Sequence, residues 1–484
     1  MYLTKSLYMR GLQCRKSLWL KIHNPSVLIR EDNTRFETGN KVGQLACQLF
    51  PDGIKIQLST SFEQIKKTRE SIESGVKTIY EATFEFNDVL VMVDVLHIDE
   101  ENTINIYEVK SSSKVKATHL KDLSIQYYVL NGLGYKIKSS KLICLNNKYI
   151  REDKLDIHEL FLINDVSPQI LELQEEIPVN LEKFKNLKNI DTITIGSHCT
   201  SPHKCDGYDH CWKHIPVFSI FNIGSLSMKE KMEFYSHGII TADQIRDVSR
   251  LTRSQQIQIQ SELSKKPKID TVAISAFLKS LTYPLYHLDF ESLQQAIPEW
   301  EGSSPYTQIP FQYSLHIEQE NGALEHREFL GDESSDPRYK LAESLIRDIP
   351  KDVSILAYNM KFEKGIIRNL ASIFPQFSDH LLKISNNFKD LMIPFMKKQY
   401  YSHLMKGSYS IKYVLPALVP TMENAYRELE DVHNGMEAMN LFPKLADMKD
   451  HDKKKYRKAL LKYCELDTLA MVRILEVLRK CVEI

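Results

Sequence analysis

Asp94 interrupts the apolar run VLVMVDVLHI. A lone carboxylate in such a run is costly to bury unless it is paired or binds a cation. Downstream, YEVKSS sets Glu108 and Lys110 at i, i+2, which puts both side chains on one face of a strand. If the two strands pair, Asp94 meets Glu108. Two carboxylates then hold a hard cation, and Lys110 orients a water or stabilises developing phosphate charge. Gln126, on the helix expected next, is placed to position an attacking water. The alternative for this set alone is an ion pair on an edge strand.

A second acidic set lies further along. YHLDFESL carries Asp289 and Glu291 at i, i+2 on a strand, and AYNMKFEKGII supplies Glu363 as its strand turns into a helix. YCELDTLAMVRIL offers Tyr463 and Asp467, four apart and therefore on one helix face. Four converging carboxylates repel one another unless divalent metals are bound. Two metals about 4 Å apart can clamp the attacking and leaving oxygens of an in-line phosphoryl displacement. Tyr463 would orient the attacking water or help deprotonate it. Asp390 in FKDLMIPF and Lys412 in GSYSIKYVLPAL have similar surroundings, but the sequence assigns them no role.

The third set is thiols. CTSPHKCDGYDHCW spaces Cys199, Cys205 and Cys211 evenly, and Cys14 lies far upstream in GLQCRKSLWL. Thiolates are soft ligands that suit zinc or an iron–sulfur cluster. Four Cys without an obligatory His fit a [4Fe–4S] cluster. The nearby His198, His203, His210 and His214 keep a Cys₃His zinc site open. Cys47, Cys144, Cys464 and Cys481 read as buried free thiols.

The elements that must position these residues follow from periodicity. Helical spacing at Leu7, Leu12, Leu18 and Leu20 opens the chain. Alternation then predicts strands between Thr83 and Val109, with Val89–Leu96 and Ile104–Val109 flanking a turn at Asp99–Asn102. A helix is expected over Ala117–Gly132 and a strand over Lys141–Leu145. Residues 216–280 read as a helical connector, and two periodic segments around Gly238 resemble a helix-hairpin-helix element. Strands at Tyr286–Phe290, Phe311–Ile317 and His326–Leu330, a run Val353–Tyr358 entering a helix, and a helical tail from Lys453 predict a mixed α/β sheet flanked by helices. Three regions result: 1–215, 216–280 and 281–484.

The chain has 484 residues, with 63 Lys+Arg balancing 63 Asp+Glu. That excludes a global basic field but not a local nucleic-acid groove. An apolar content of 43% and a charged content of 26% exclude a mostly disordered chain. The N-terminal segment has no apolar core of signal-peptide length, and no run approaches a membrane span. A soluble cytoplasmic protein without membrane partners is expected.

Glu37 in RFETGNKVGQLA, then Asp94, Glu108-x-Lys110 and Gln126-Tyr127, follow one another as in PD-(D/E)XK nucleases of the RecB type. Residues 1–215 resemble that family. The resemblance implies a restriction-endonuclease-like core hydrolysing phosphodiesters, with Glu37 as a supporting metal ligand. One N-terminal Cys and three C-terminal ones resemble the iron–sulfur-stapled nucleases of the CRISPR-associated and AddB families, where the cluster is structural. The ordered set DFE, N-x-x-F-E, Y-x-x-x-D over 281–484 resembles the DnaQ-like DEDD exonucleases of the Tyr-bearing subclass. That implies an RNase H-like fold, Mg or Mn, and 3′→5′ trimming. Glu363 departs from the usual Asp by one methylene. The whole chain resembles bacterial proteins that fuse two such nucleases. DNA, single-stranded or at ends, is the expected substrate ahead of RNA, in repair or defence and with a helicase as a fitting partner. One alternative keeps a single active site and makes the other half a nucleic-acid clamp. Another is a non-catalytic iron–sulfur scaffold.

Overall fold

A computed structural model describes residues 2–29, 34–188 and 190–483. The chain divides into two compact units of mixed α/β structure. One comprises Met1–His214 with Gln295–Thr307, the other Ile215–Gln294 with Gln308–Ile484. The 216–280 region thus belongs to the second unit.

The first unit is built on a seven-stranded sheet. Its strands are β1 (Leu3–Thr4), β2 (Ile54–Lys55), β3 (Thr78–Phe86), β4 (Val89–Ile98), β5 (Ile104–Lys110), β6 (Ile137–Leu145) and β7 (Phe161–Asp165). They lie in the order β2-β3-β4-β5-β6-β7, with β1 added parallel to the start of β4. The β4–β5 hairpin forms at the predicted turn. Asp99 closes it by accepting the Glu101 and Thr103 N–H groups and the Thr103 hydroxyl. Five helices matter here: α1 (Lys5–Gln13), α2 (Arg15–His23), α3 (Thr34–Ala46), α4 (Ser61–Glu73) and α5 (Ala117–Gly132). Val91, Val93, Ile106, Leu123, Val129 and Leu142 of β4, β5, α5 and β6 share one buried core. The crossover from β5 through α5 to the parallel β6 holds the carboxylate-bearing strand centrally.

The second unit begins with helices α6 (Met228–Ser236), α7 (Arg253–Ser264) and α8 (Thr271–Lys279). After Gly238, the Thr241–Gln244 capping pair closes only one 3₁₀ turn, and Asp247 accepts from Ser249 N–H in an Asx-type turn that halts propagation. A five-stranded sheet follows from β8 (Leu285–Leu293), β9 (Ile309–Glu318), β10 (Leu324–Leu330), β11 (Ser354–Ala357) and β12 (Phe388–Asp390). Its order is β10-β9-β8-β11-β12; the first three are antiparallel, while β11 and β12 run parallel with β8. α9 (Met360–Ile373) follows β11, α10 (Ile411–Leu418) comes later, and α11 (Asp450–Lys480) ends the chain. α11 buries Leu460, Met471, Ile474 and Leu475. It is tied to the sheet by Thr468, which bonds both Ser314 and His316 at 2.7 Å. Among the described residues no helix is long and apolar enough to cross a membrane.

Ile106 sits at 0% exposure in the first core, so Ile106→Ala should destabilise that unit by about 2–5 kcal/mol. Phe62→Ala, at a position 77% exposed, should stay within about 0.5 kcal/mol. Denaturant melts of the two variants separate these outcomes.

Candidate functional site

Strand pairing does what the i, i+2 pattern requires. β4 and β5 pair Val95 with Tyr107, so Asp94 and Glu108 face across the hairpin. Asp94 Oδ2 accepts the Val109 N–H at 2.7 Å. Glu108 is 2% exposed. Its Oε1 accepts from Lys110 at 2.7 Å and from Lys5 at 2.8 Å, and its Oε2 from Gln126 Nε2 at 2.6 Å. Gln126 therefore anchors Glu108 and leaves its own Oε1 buried without a partner.

Two further residues complete the set. Lys5 opens α1, and Asp122 lies one turn before Gln126 on α5. Asp122 pairs with Lys5 at 3.3 Å and also with Lys110. Burial pushes the Asp94 carboxyl up to about 7, and the neighbouring Glu108 adds to this against both lysines. Burial would raise Glu108 as well, but Lys110 and Lys5 overcome it and hold that carboxyl well below the usual range. Glu81 also stands near: it bulges out of β3 at φ 56°, and Glu108 acts on its charge. Glu37 is exposed in the first turn of α3, and no interaction ties it to Asp94 or Glu108 among the described residues. Beside these residues a cleft of about 700 Å³ is lined by Lys5, Arg10, Lys110, Lys116, His119 and Lys121, and continues to His203 and Cys205.

Cys205 lies at the far end of that cleft, and Cys14, Cys199 and Cys211 stand near it. Cys14 breaks α1 from α2 and caps α2, whose Lys16 and Ser17 N–H groups point at its sulfur. Arg10 grips Asp206 through two bonds of 2.7 and 2.8 Å, and Gln13 donates to the carbonyls of His198 and His203. The Cys segment is thereby pinned to α1. Burial raises the Cys14 and Cys211 thiols, and the other cysteines of the set raise them further. Thiols are soft donors of the kind that suit zinc or an iron–sulfur cluster.

In the second unit, Asp289 and Glu291 project from central β8 towards Glu363 on α9 and towards Tyr463 and Asp467 on α11. They line a pocket of about 490 Å³ with Tyr358, Phe362 and Lys412. Burial and the surrounding acids raise Asp289 well above its usual value. Burial pushes Glu291 to about 8, with Asp467 adding and Lys412 opposing, and it pushes Glu363 to about 8. Glu363 Oε2 is buried without a partner. Asp467 accepts from Tyr426 at 2.6 Å. Burial, then Asp467 and the other acids, hold the Tyr463 phenol far above its ordinary value, so it stays protonated.

Two residues that the sequence left without a role find one. Asp390, at the end of β12, accepts the N–H groups of Asn359, Met360 and Met392. It caps the helix carrying Glu363. Lys412 donates to the His433 carbonyl at 2.9 Å and lies over the rings of Tyr426 and Tyr463 at 5.1 and 5.2 Å.

Residues 286–410 match the model of a domain of unknown function, DUF2779. That segment includes Asp289, Glu291, Glu363 and Asp390, and ends before Lys412, Tyr463 and Asp467. An uncharacterized protein of Ureaplasma parvum serovar 3 is 25% identical over 236 residues, covering 45% of this chain and 34% of the relative. The match thus spans about a third of that relative's length.

Two outcomes follow. Asp390→Ala should cost about 1–2 kcal/mol through the lost cap, read as a lower melting temperature. The metal-free protein should respond to pH through Glu291 and Glu363. Their folded pKa lies above the unfolded 4.5, so the folded state binds more protons between about pH 4.5 and 8 and these groups cost stability as pH rises through that window. Glu291→Gln and Glu363→Gln should each melt a few degrees above wild type at pH 8 without metal, and should lose that advantage at pH 4.

Proposed function

We propose that the chain is a metal-dependent nuclease with one site in each unit. The observation that carries this reading is the burial of four carboxylates, Asp289, Glu291, Glu363 and Asp467, beside a single ammonium group, Lys412. Such a set needs a cation from outside. The first unit is read as a RecB-like PD-(D/E)XK core around Asp94, Glu108 and Lys110. The second is read as an RNase H-like core carrying a DEDD-type 3′→5′ exonuclease site. Support comes from the mixed sheets, with Glu108 on β5 and Asp289 and Glu291 on β8, and from α11 bringing Tyr463 and Asp467 to the same pocket.

The donor sets fit the implied groups. Oxygen ligands at Asp94 and Glu108, and at Asp289, Glu291, Glu363 and Asp467, suit Mg²⁺ or Mn²⁺. Bound there, the ion would polarise a phosphoryl oxygen and activate a water. The chain's own groups do the rest. Gln126 fixes the rotamer of Glu108. Lys110 and Lys5 hold positive charge where a scissile phosphate would approach, and the basic cleft draws the backbone in. In the second unit the Tyr463 hydroxyl orients the attacking water, and Lys412 holds Tyr463 and Tyr426 in place. Cys14, Cys199, Cys205 and Cys211 would hold a [4Fe–4S] cluster that closes the first unit on itself. The substrate is DNA with a free or single-stranded end, in repair or defence.

The test is a time course on 5′-labelled single-stranded DNA with Mg²⁺ or Mn²⁺. Asp94→Ala and Asp289→Ala should each alter the product ladder, and only the double variant should lose activity by 10³-fold or more, about 4 kcal/mol of barrier. A wild type inert on both DNA and RNA would sink the reading. Lys412→Met should lower exonuclease kcat by about tenfold or more, with Lys412→Arg restoring part of it. Protein purified without oxygen should be brown and lose its colour in Cys14→Ser; a colourless protein with stoichiometric zinc would replace the cluster with zinc.

A further inference from the structure

Cys464 reads from the sequence as an ordinary buried thiol, but its surroundings are not apolar. It lies on α11 between Tyr463 and Asp467 and is fully buried. Its Sγ stands 3.8 Å from Asp289 Oδ2 and 3.9 Å from the Asp289 carbonyl oxygen. One ligand atom each from Asp289, Glu291 and Cys464 lie within 4.8 Å of one another.

The sulfur–oxygen distance between Cys464 and Asp289 is close to that of a chelate. Zinc–sulfur bonds of about 2.3 Å and zinc–oxygen bonds of about 2.1 Å at a tetrahedral angle put sulfur and oxygen about 3.6 Å apart. A thiol hydrogen bond at 3.8 Å is by contrast long and weak. A second, independent feature points at a ligand: Glu363 Oε2 is buried without a hydrogen-bond partner, and the Glu363 charge acts on both Asp289 and Glu291.

We infer that Asp289, Glu291 and Cys464 form a mixed carboxylate–thiolate site that takes a borderline-soft divalent cation of the zinc or cobalt class in preference to Mg²⁺. The inference rests on the metal-dependent reading of this pocket and adds the thiol as a ligand. Mg²⁺ takes oxygen donors and gains nothing from sulfur, whereas affinity of a site with sulfur rises towards the softer ions. On binding, the S–H proton leaves to solvent and the thiolate completes the third bond.

The test is a Co²⁺ titration of the full chain, with the spectrum of Cys464→Ser subtracted from that of wild type. Thiolates at Cys14, Cys199, Cys205 and Cys211 are present in both and cancel. A sulfur-to-cobalt charge-transfer band should remain in the difference and saturate at one Co²⁺. Asp289→Asn should lose the same band. Co²⁺ affinity should fall about tenfold or more in Cys464→Ser and in Cys464→Ala, while Mg²⁺ affinity stays put. A flat difference spectrum, with both variants binding Co²⁺ as wild type does, overturns the thiol ligand and leaves the carboxylate site standing. If Asp289→Asn also binds as much Co²⁺ as wild type, the metal-dependent reading of the pocket falls too. Where both substitutions at 464 unfold the unit, cadmium-113 NMR of the wild type decides: a mixed sulfur–oxygen signal, separate from any all-sulfur one, supports the site and its absence rejects it.

Discussion

Both units hold carboxylates out of water on their central sheets, and the surrounding architecture follows from that burial. An ionised carboxylate in such a place must be paired, protonated or bound to a cation. The first unit answers mainly by pairing: Lys5 and Lys110 each reach both Glu108 and Asp122. The second unit answers mainly by protonation in the absence of metal, since Asp289, Glu291 and Glu363 are all raised. The scaffolding serves these groups. Gln126 locks Glu108, Asp390 caps the helix that carries Glu363, and Thr468 docks α11 so that Tyr463 and Asp467 reach the pocket.

What the sequence discloses depends on the range of the interaction. Asp94, Glu108 and Lys110 were legible because strand periodicity is local and an acid in an apolar run is conspicuous. The helix Ala117–Gly132 matches its expected bounds for the same reason. Lys5 and Asp122 were not legible. Each is an unremarkable charge on a helix, and the Lys5–Glu108 pair spans 103 residues. Glu81 escaped because a bulge in β3 breaks the alternation that would place it. Asn359 fits the sequence pattern of a helix cap, yet it takes a left-handed φ of 77° and donates its N–H to Asp390, the actual cap.

The cysteines show the same division. Even spacing singled out the trio, but nothing in the sequence shows how Cys14 comes near it. Arg10–Asp206 and the two Gln13 bonds do that, and they join residues nearly two hundred positions apart. These bonds hold the segment without any cluster, so under the proposed reading a cluster would reinforce a closure that Arg10 and Gln13 already make. Cys464 is a buried free thiol, as its surroundings in the sequence suggest, but β8 brings Asp289 against its sulfur, a contact that no local pattern discloses.

Charge counting separates the two sites. In the first unit three carboxylates, Asp94, Glu108 and Asp122, face two ammonium groups, which leaves one negative charge. One divalent cation and one phosphodiester then bring the site to neutrality. In the second unit, among the described residues of the site, four carboxylates stand with one ammonium group, Lys412, which leaves three. Two divalent cations overshoot by one positive charge, and a single phosphodiester balances it. Under the metal-dependent reading the second site is therefore the one that would take two ions, and its metal-free form is the one that takes up protons. If the Cys464 thiolate joins the ligands, that last positive charge disappears before substrate arrives. The ions are then held more tightly and the phosphate less so, because the attraction that would have drawn the backbone in is already spent on sulfur.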